Sequence, residues 1–568
     1  MSKNANPVQA DKPSSVTGVQ LAQGIGHQPA QSFWAEAWAQ VFKRPAAVVS
    51  IVWIAIVSFF AVYAPLIASS HPLLLRSDDG TSSPLIDSLS APDVALLVIG
   101  TLAPFYLFFR IGPLGFGAKL RLIIAASAQI GLVVVFARMI ESTFTHRDAV
   151  GFVADWGRSG LFVPVSVALL CAITMIPFLL ISIFVHRSVG RSVFVLGVAI
   201  VAGGIVSWKW TPSLNNFDYR ARESRGLVDA TYTVVPFSHS HSMPAMFNRP
   251  PGATPLDAAW SRLEAWQRRT EGRSARYNDE ELASIPITAD TMKELRAIGR
   301  SVDGLVSYPM DEFVDQLETR VDDGQITNLV QMREAILEHH APVHTIGTDT
   351  LGQDVLSQMM HACRLAISIG FVSTGIAVVI GVTIGALMGY FGGWVDLLLY
   401  RVVEIFMAIP VLFLLIVAAG LLPRNTYVMM AIIGCFTWTG AARFIRAEFM
   451  KLRHTDYVQA AQAMGLPLWS ILFKHMLPNG VTPVLVESSF LIAAAILIEA
   501  TLSFLGLGPT GQASWGSLLR NASGEAGGFL WWLAIFPGAA IFLTTLAYNL
   551  IGEALRDAID PKLKKARV

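Results

Sequence analysis

The chain alternates between apolar runs of bilayer length and short polar connections, with one long polar interruption. A helix needs roughly 20 residues to cross a bilayer. Runs of that order occupy 46–68, 92–109, 121–140, 160–185 and 192–208. After the interruption they resume at 364–390, 395–421, 427–447, 481–507 and 529–551. The pattern predicts about ten transmembrane helices and an all-α polytopic membrane protein. Ahead of the first run, residues 1–33 are rich in Gln, Ser, Pro and Ala and hold no apolar stretch. No cleavable signal peptide is expected there, and Phe33 to Phe42 reads as a short amphipathic segment.

Lys/Arg asymmetry between loops orients such a chain. Lys43 and Arg44 precede the first span, which puts the 1–45 tail in the cytoplasm. Alternation then places the loops holding Arg110, Lys119 and Arg121, holding Arg187 and Arg191, and spanning 448–480 inside, with the basic C-terminal tail. The interruption, 209–345, falls outside and is long enough for a small domain. Residues 211–345 hold 20 Asp and Glu against 14 Lys and Arg. Thr254, Pro255 and Asp257 read as an N-cap, a first-turn proline and a capping-box acid, with Leu256, Ala259, Leu263 and Trp266 on one face. TMKELRAIGRSV and MDEFVDQLETRV carry the same periodicity. A helical extracytoplasmic domain is expected, the alternative being a solvated spacer with short helices.

Composition narrows the function. The chain is 53% hydrophobic and 15% charged, where a soluble domain is about 25% charged. A net charge of +1 gives no reason to expect nucleic acid. Cys171, Cys363 and Cys435 all lie in apolar stretches without C-x-x-C spacing, so neither disulfides nor zinc are indicated. No GxxxxGK[ST] occurs, so ATP binding of the P-loop kind is excluded. GLGPTG (506–511) has dinucleotide-loop spacing but follows an apolar helix rather than a strand, and reads as a turn. His239 and His241, and His339, His340 and His344, lack partners at metal-site spacing. No nucleophile elbow appears, and no metal or cofactor is expected.

The most informative segment is KLRHTDYVQAAQAMGLPLWSILFKHMLPNG, within 448–480. Tyr457 to Met464 reads as a helix, Gly465 stops it with φ above zero, and a second short helix runs to Pro478. Ala460, Ala461 and Ala463 form a small-residue patch that another protein could approach closely. The plain alternative is an amphipathic cytoplasmic loop. The pattern AA-x3-G-x11-LP (Ala460, Ala461, Gly465, Leu477, Pro478) resembles the coupling loop of permease subunits in ABC importers. HTIGTDTLGQD (344–354), GYFGGWVD (389–396), EATLSFLGLG (499–508), SWG (514–516) and LRDAIDP (555–561) extend the likeness. Together they resemble the C-type permease of oligopeptide and dipeptide importers from about 344 to 562, and the first span fits as well. Gln459 stands where that family usually has Glu, and Gln353 where it usually has Arg. Each departure removes a charge.

The resemblance implies a type I ABC importer permease core over 346–562, preceded by four extra helices (92–208) and the insert 209–345. It implies a multi-pass protein of the bacterial inner membrane with both termini cytoplasmic. It implies a second permease subunit, two ATPase subunits that bind the ATP, and an extracytoplasmic substrate-binding protein. The ATPases would dock on Tyr457, Gln459, Ala460, Ala461, Gly465, Leu477 and Pro478. The solute would be a peptide, with nickel complexes, glutathione and peptide antibiotics as alternatives. The chain itself would not be an enzyme. An ATP-independent transporter and a membrane enzyme are the competing classes; the coupling loop speaks against the first, the missing catalytic constellation against the second. The extra helices, without the glycine stripe of the core, are expected at the periphery.

Candidates for the path or its gating come from the residues themselves. Gly381, Gly385 and Gly389 put a glycine stripe on one helix face, fit for close packing or for gating. Pro410 falls mid-span and should kink it. Arg401 and Glu404, three apart, either pair with each other or face the solute. Glu487 and Glu499 are intramembrane acids, functional candidates by default; for Glu499 a helix-capping or inter-subunit contact is the alternative.

Overall fold

The structure, a computed structural model, describes residues 33–77, 80–108, 219–523 and 528–559, with scattered helical residues between 119 and 205. The spans expected at 121–140, 160–185 and 192–208, the 1–32 tail and the basic end of the chain lie outside the described residues. Helix α1 (Phe33–Val41) leads into α2 (Pro45–Ile67), the first span. A small antiparallel sheet follows, with β1 (Leu74–Ser77) central between β2 (Gly80–Ser82) and β3 (Asp229–Thr231). Helices α3 (Pro84–Ser88) and α4 (Ala91–Phe108) come next, then α5 (Tyr219–Ser224). The sheet thus joins the end of the first span to the start of the insert: Leu75 pairs with Ser82 on one side and Ala230 on the other.

The insert contributes α6 (Pro255–Thr270), α7 (Asp279–Ser284), α8 (Ala289–Val302), α9 (Met310–Asp322) and α10 (Leu329–Leu337). Capping boxes start three of them: Thr254 with Asp257, Asn278 with Glu281, Thr288 with Thr291. Their apolar faces meet in a core of their own, in which Leu256, Ala259, Leu263, Leu295, Phe313, Leu317 and Met332 are buried and Trp266 is partly so. Arg296 of α8 bridges Asp315 and Glu318 of α9 at 2.6 Å each.

The remaining helices build the bundle. Helix α11 (Val355–Phe391) begins nine residues before the expected span, because Asp354 caps it by accepting the Ser357 N–H at 2.8 Å. At about 1.5 Å per residue it is near 55 Å long, so its polar first turns outrun the hydrocarbon. Helices α12 (Gly393–Ala408) and α13 (Val411–Leu421) divide the next run. The kink expected at Pro410 is a full break of 82°. The residue before a proline avoids the helical region, and Ile409 is extended at φ −98°, ψ 128°. Helices α14 (Thr426–Thr437) and α15 (Thr439–Leu452) meet at 43°. There the Thr437 hydroxyl donates back to the Ile433 carbonyl at 2.8 Å, a bond that bends helices. Helix α16 (Asp456–Ala463), a π-helical stretch over Ser470–Met476 and α17 (Leu477–Gly480) precede α18 (Thr482–Phe504), α19 (Trp515–Asn521) and α20 (Trp531–Ile559). Among the described residues four helices are long and apolar enough to cross a membrane, or six if each bent pair is one span.

Helix α11 is the axis of the bundle. Its glycine stripe lies flush on α15. A Cβ at Gly381 would stand 2.7 Å from the Trp438 carbonyl oxygen, one at Gly385 2.4 Å from that of Ala442, and one at Gly389 2.6 Å from that of Arg446. Only glycine permits backbones this close. Helices α2 and α20 pack beside it, joined by the Trp53 indole N–H to Thr544 Oγ1 at 3.0 Å. Arg44 and Asp557 pair at 2.6 Å, which sets the start of the first span and the end of the last at the same end of the bundle. Helix α4 abuts α2, where a Cβ at Gly100 would meet Val62 at 2.6 Å. It is also tied to α11 by an Asp93–Arg364 ion pair.

Candidate functional site

The 456–480 segment folds as a helical hairpin rooted in the α11–α15 seam. Gly465 reverses the chain at φ +69°, a conformation open to glycine at little cost. Inside the hairpin Val458, Ala461, Ile471, Leu472 and Met476 are buried together with Ala386 of α11 and Ile445 and Phe449 of α15. The Gln462 amide donates to the Tyr390 hydroxyl at 3.2 Å. The hairpin is therefore packed directly on the helices that form the glycine seam.

The outer surface of the hairpin mixes small, large apolar and polar side chains. Ala460 and Ala463 are exposed, as are Tyr457, Met464 and Trp469. Ala461 was expected among the presented alanines, and here the structure differs: it is 2% exposed. One residue along a helix turns the side chain by about 100°, so Ala460 and Ala461 cannot share a face. Gly465, which shapes the turn, and Pro478 are exposed, and Leu477 is half-buried. Gln459 donates from its amide to the His454 carbonyl at 3.3 Å, so the position that lacks a charge secures the helix start instead.

The flanking motifs serve as joints. In 344–354, Asp349 accepts the N–H groups of Leu351 and Gln353 at 2.8 and 2.9 Å and the Gln358 amide at 2.8 Å. Burial raises the Asp349 pKa despite those bonds. His344 lies 2.8 Å from Asp354 and stacks on Phe237 of the insert at 3.9 Å. The insert also covers the loop's glycines. A Cβ at Gly347 would stand 2.6 Å from the Arg249 carbonyl oxygen, and one at Gly352 2.0 Å from that of Met243. Gln353 reaches the Ser240 carbonyl at 3.3 Å. In 389–396, Asp396 holds Arg446 of α15 in a bidentate pair at 2.5 and 2.6 Å. In 514–516, Ser514 caps α19, and a Cβ at Gly516 would lie 2.2 Å from the Ala500 carbonyl oxygen. Gly506 and Gly511, at φ +80° and +72°, make 506–511 a turn.

The path candidates do not converge. Arg401 and Glu404 pair with each other at 2.5 Å on an exposed face of α12. Glu499 is 2% exposed and accepts the Ser503 hydroxyl at 2.6 Å within α18, so it lines no open space in this chain. Glu487 is half-buried on α18, facing Gly440 of α15. The histidines singled out in the sequence separate: His239 stacks on His361, His339 stands edge-on to Phe313, and His344 pairs with Asp354. Sequence reasoning passed over the Asp396–Arg446 and Asp93–Arg364 pairs. Arg446 and Arg364, each a charge set within an apolar run, were the available signal.

Residues 381–565 match the binding-protein-dependent transport system inner membrane component family. Residues 32–91 match the N-terminal TM domain of oligopeptide transport permease C. The glutathione transport system permease of Pectobacterium atrosepticum is 36% identical over 40% of this chain and 75% of that protein. The chain belongs to the binding-protein-dependent transport permeases. It is a multi-pass membrane permease subunit of the type I ABC importer fold. The peptidoglycan transport system permease of Agrobacterium fabrum is 38% identical over 38% of this chain, which spans 57% of that relative's length. The oligopeptide transport permease of Haemophilus influenzae is 37% identical over 39% of this chain and 70% of its own. Among solved structures, an inward-facing MetNI methionine ABC transporter chain aligns at 18% identity and a TM-score of 0.27, over 35% of this chain and 97% of that one, too faint a likeness to support an argument.

Proposed function

We propose that this permease imports peptides across the bacterial inner membrane by alternating access. The observation that carries the reading is the 456–480 hairpin: an exposed surface with Ala460, Ala463, Met464 and Trp469 at its outside, over a buried face continuous with the α11–α15 seam. Two ATPase subunits would dock, one on this hairpin and one on that of a second permease subunit. They bind and hydrolyse ATP, while this chain holds no cofactor and performs no chemistry. Their closure would push the hairpins and tilt the core helices. A solute handed over by an extracytoplasmic binding protein shifts that equilibrium only by its different affinity for the two states. Docking falls to Tyr457, Gln459, Ala460, Leu477 and Pro478, with Gly465 setting the angle. Relatives named for oligopeptides, glutathione and peptidoglycan transport favour a peptide or peptide-like solute. Expression of the tagged chain with its cognate ATPases should yield a complex with ATP-dependent uptake of a labelled peptide. Uptake without ATPases would replace this reading with an ATP-independent transporter.

Both termini would be cytoplasmic and the insert external, where it would contact the binding protein. The described contacts of the insert run to the end of α2, to β1, to the 344–354 loop and to the first turns of α11, which suits a folded external cap. Ser274 and Ser307 are exposed on it. Cysteines at those positions, in a background without Cys435, should react with a membrane-impermeant maleimide in spheroplasts. Labelling only after lysis would reverse the orientation.

A further inference from the structure

Between the end of α2, the start of α4 and the first turns of α11 lies a cavity of about 570 Å³. Small-molecule sites have such volumes. Its wall is mixed, apolar over the larger part, with a polar group made of Asp93, His239, His361, Arg364, Ser368 and Gln512. Arg364 donates from Nε to the Ala61 carbonyl at 3.1 Å and from Nη1 to Asp93. Its Nη2 is buried without a partner, a state that is costly for a cationic donor. The second Asp93 oxygen takes the Ser90 N–H at 2.8 Å and the Ser90 hydroxyl at 2.5 Å. His361 Nδ1 lies 2.9 Å from the Ser357 carbonyl, an acceptor, so it carries the ring proton and leaves Nε2 as a bare acceptor. His239 stacks on that ring at 4.1 Å. Burial, reinforced by the Arg364 charge, holds the His239 imidazole below its usual range, so this ring is neutral at pH 7.

The Arg364 and Asp93 charges in this wall therefore cancel. One guanidinium faces one carboxylate, and His239 adds hydrogen-bonding capacity without charge. A net-charged ligand would carry an uncompensated charge into a partly buried site; a zwitterion would not. We infer that the cavity is a binding site for a small zwitterionic solute, its carboxylate drawn to the Arg364 side of the wall and its ammonium to the imidazole acceptors and Asp93. The solute class deepens the peptide reading and rests on it; the site itself does not depend on the ATPases. Asp93 belongs to α4, the first of the extra helices, and His239 to the insert, so the additions to the family core would supply half of the site.

The test is calorimetric titration of the full-length protein in nanodiscs with dialanine, its N-acetylated amide and acetate. Dialanine should bind in the millimolar range or tighter, with the blocked peptide and acetate at least tenfold weaker. Arg364→Gln should weaken dialanine binding at least tenfold. Because that change also strands Asp93, His239→Trp serves beside it: it fills the cavity, leaves the ion pair in place, and should abolish binding with an unchanged Tm. Wild-type affinity in either variant, or equal affinity for the three probes, overturns the site and leaves the import reading untouched. Arg364-dependent binding without ATPase-driven uptake supports the site and removes the import reading.

Discussion

Gly385→Leu should dismantle the central seam of the bundle, while Gly375→Leu on the same helix should do almost nothing. A Cβ at Gly385 would lie 2.4 Å from the Ala442 carbonyl oxygen and 3.0 Å from Ile445 Cβ. The first obstacle is backbone, so no rotamer change relieves it, and α11 must lift off α15. The lift also opens the contacts at Gly381 and Gly389, which share the face. Overpacking a tight core costs about 1–3 kcal/mol, and a clash against main chain belongs at the top of that range or above it. Gly375 is exposed, with nothing within 4 Å of its would-be Cβ. Thermal unfolding of both variants in detergent measures the difference. Equal Tm values would mean that the seam yields freely and does not hold the bundle together.

Ala460→Arg and Ala461→Arg, adjacent and chemically identical changes, should fail for different reasons. At Ala461 the guanidinium enters a closed cluster with Ile471, Met476 and Phe449. A buried charge without a partner costs several kcal/mol. The hairpin should come apart, with lower Tm and loss of bound ATPase together. At Ala460 the new side chain points out of the chain. Stability should hold, and only docking should suffer, each ~1.4 kcal/mol lost there being a tenfold fall in affinity. Gly465→Val separates a third effect. No atom lies within 4 Å of its Cβ, so only the positive φ is strained, by roughly 1–2 kcal/mol, and the second arm is misaimed. Co-purification of ATPase and Tm, measured for all three at matched expression, distinguish them. Normal ATPase retention by Ala460→Arg would remove the hairpin from the docking surface.

The helical character of the chain and the hairpin were legible in sequence because they rest on local rules. Apolar length marks spans, Thr254 and Asp257 mark a capped start, and Gly465 marks a reversal that few other residues tolerate. The same local rules set the limits. The apolar run begins at 364, after Gln358 and His361, yet α11 begins at Val355, since a capped helix continues through polar residues wherever protein rather than lipid surrounds them. Pro410 announced a disturbance, but its size depends on whether Ile409 is free to extend, which neighbouring helices decide.

Sequence by itself determined which segments are apolar enough to enter a membrane, where helices begin and turn, and which motifs this chain shares with its family. Only the tertiary structure decided which residues meet. It turned Ala461 inward and Ala460 outward, joined Asp396 to Arg446 across 50 positions, and brought Asp93, His239 and Arg364 to one cavity from three parts of the chain. The physical reason is range. Hydropathy, capping and backbone preference act within a few residues, whereas side-chain pairing and burial depend on distances in space that no spacing along the chain encodes.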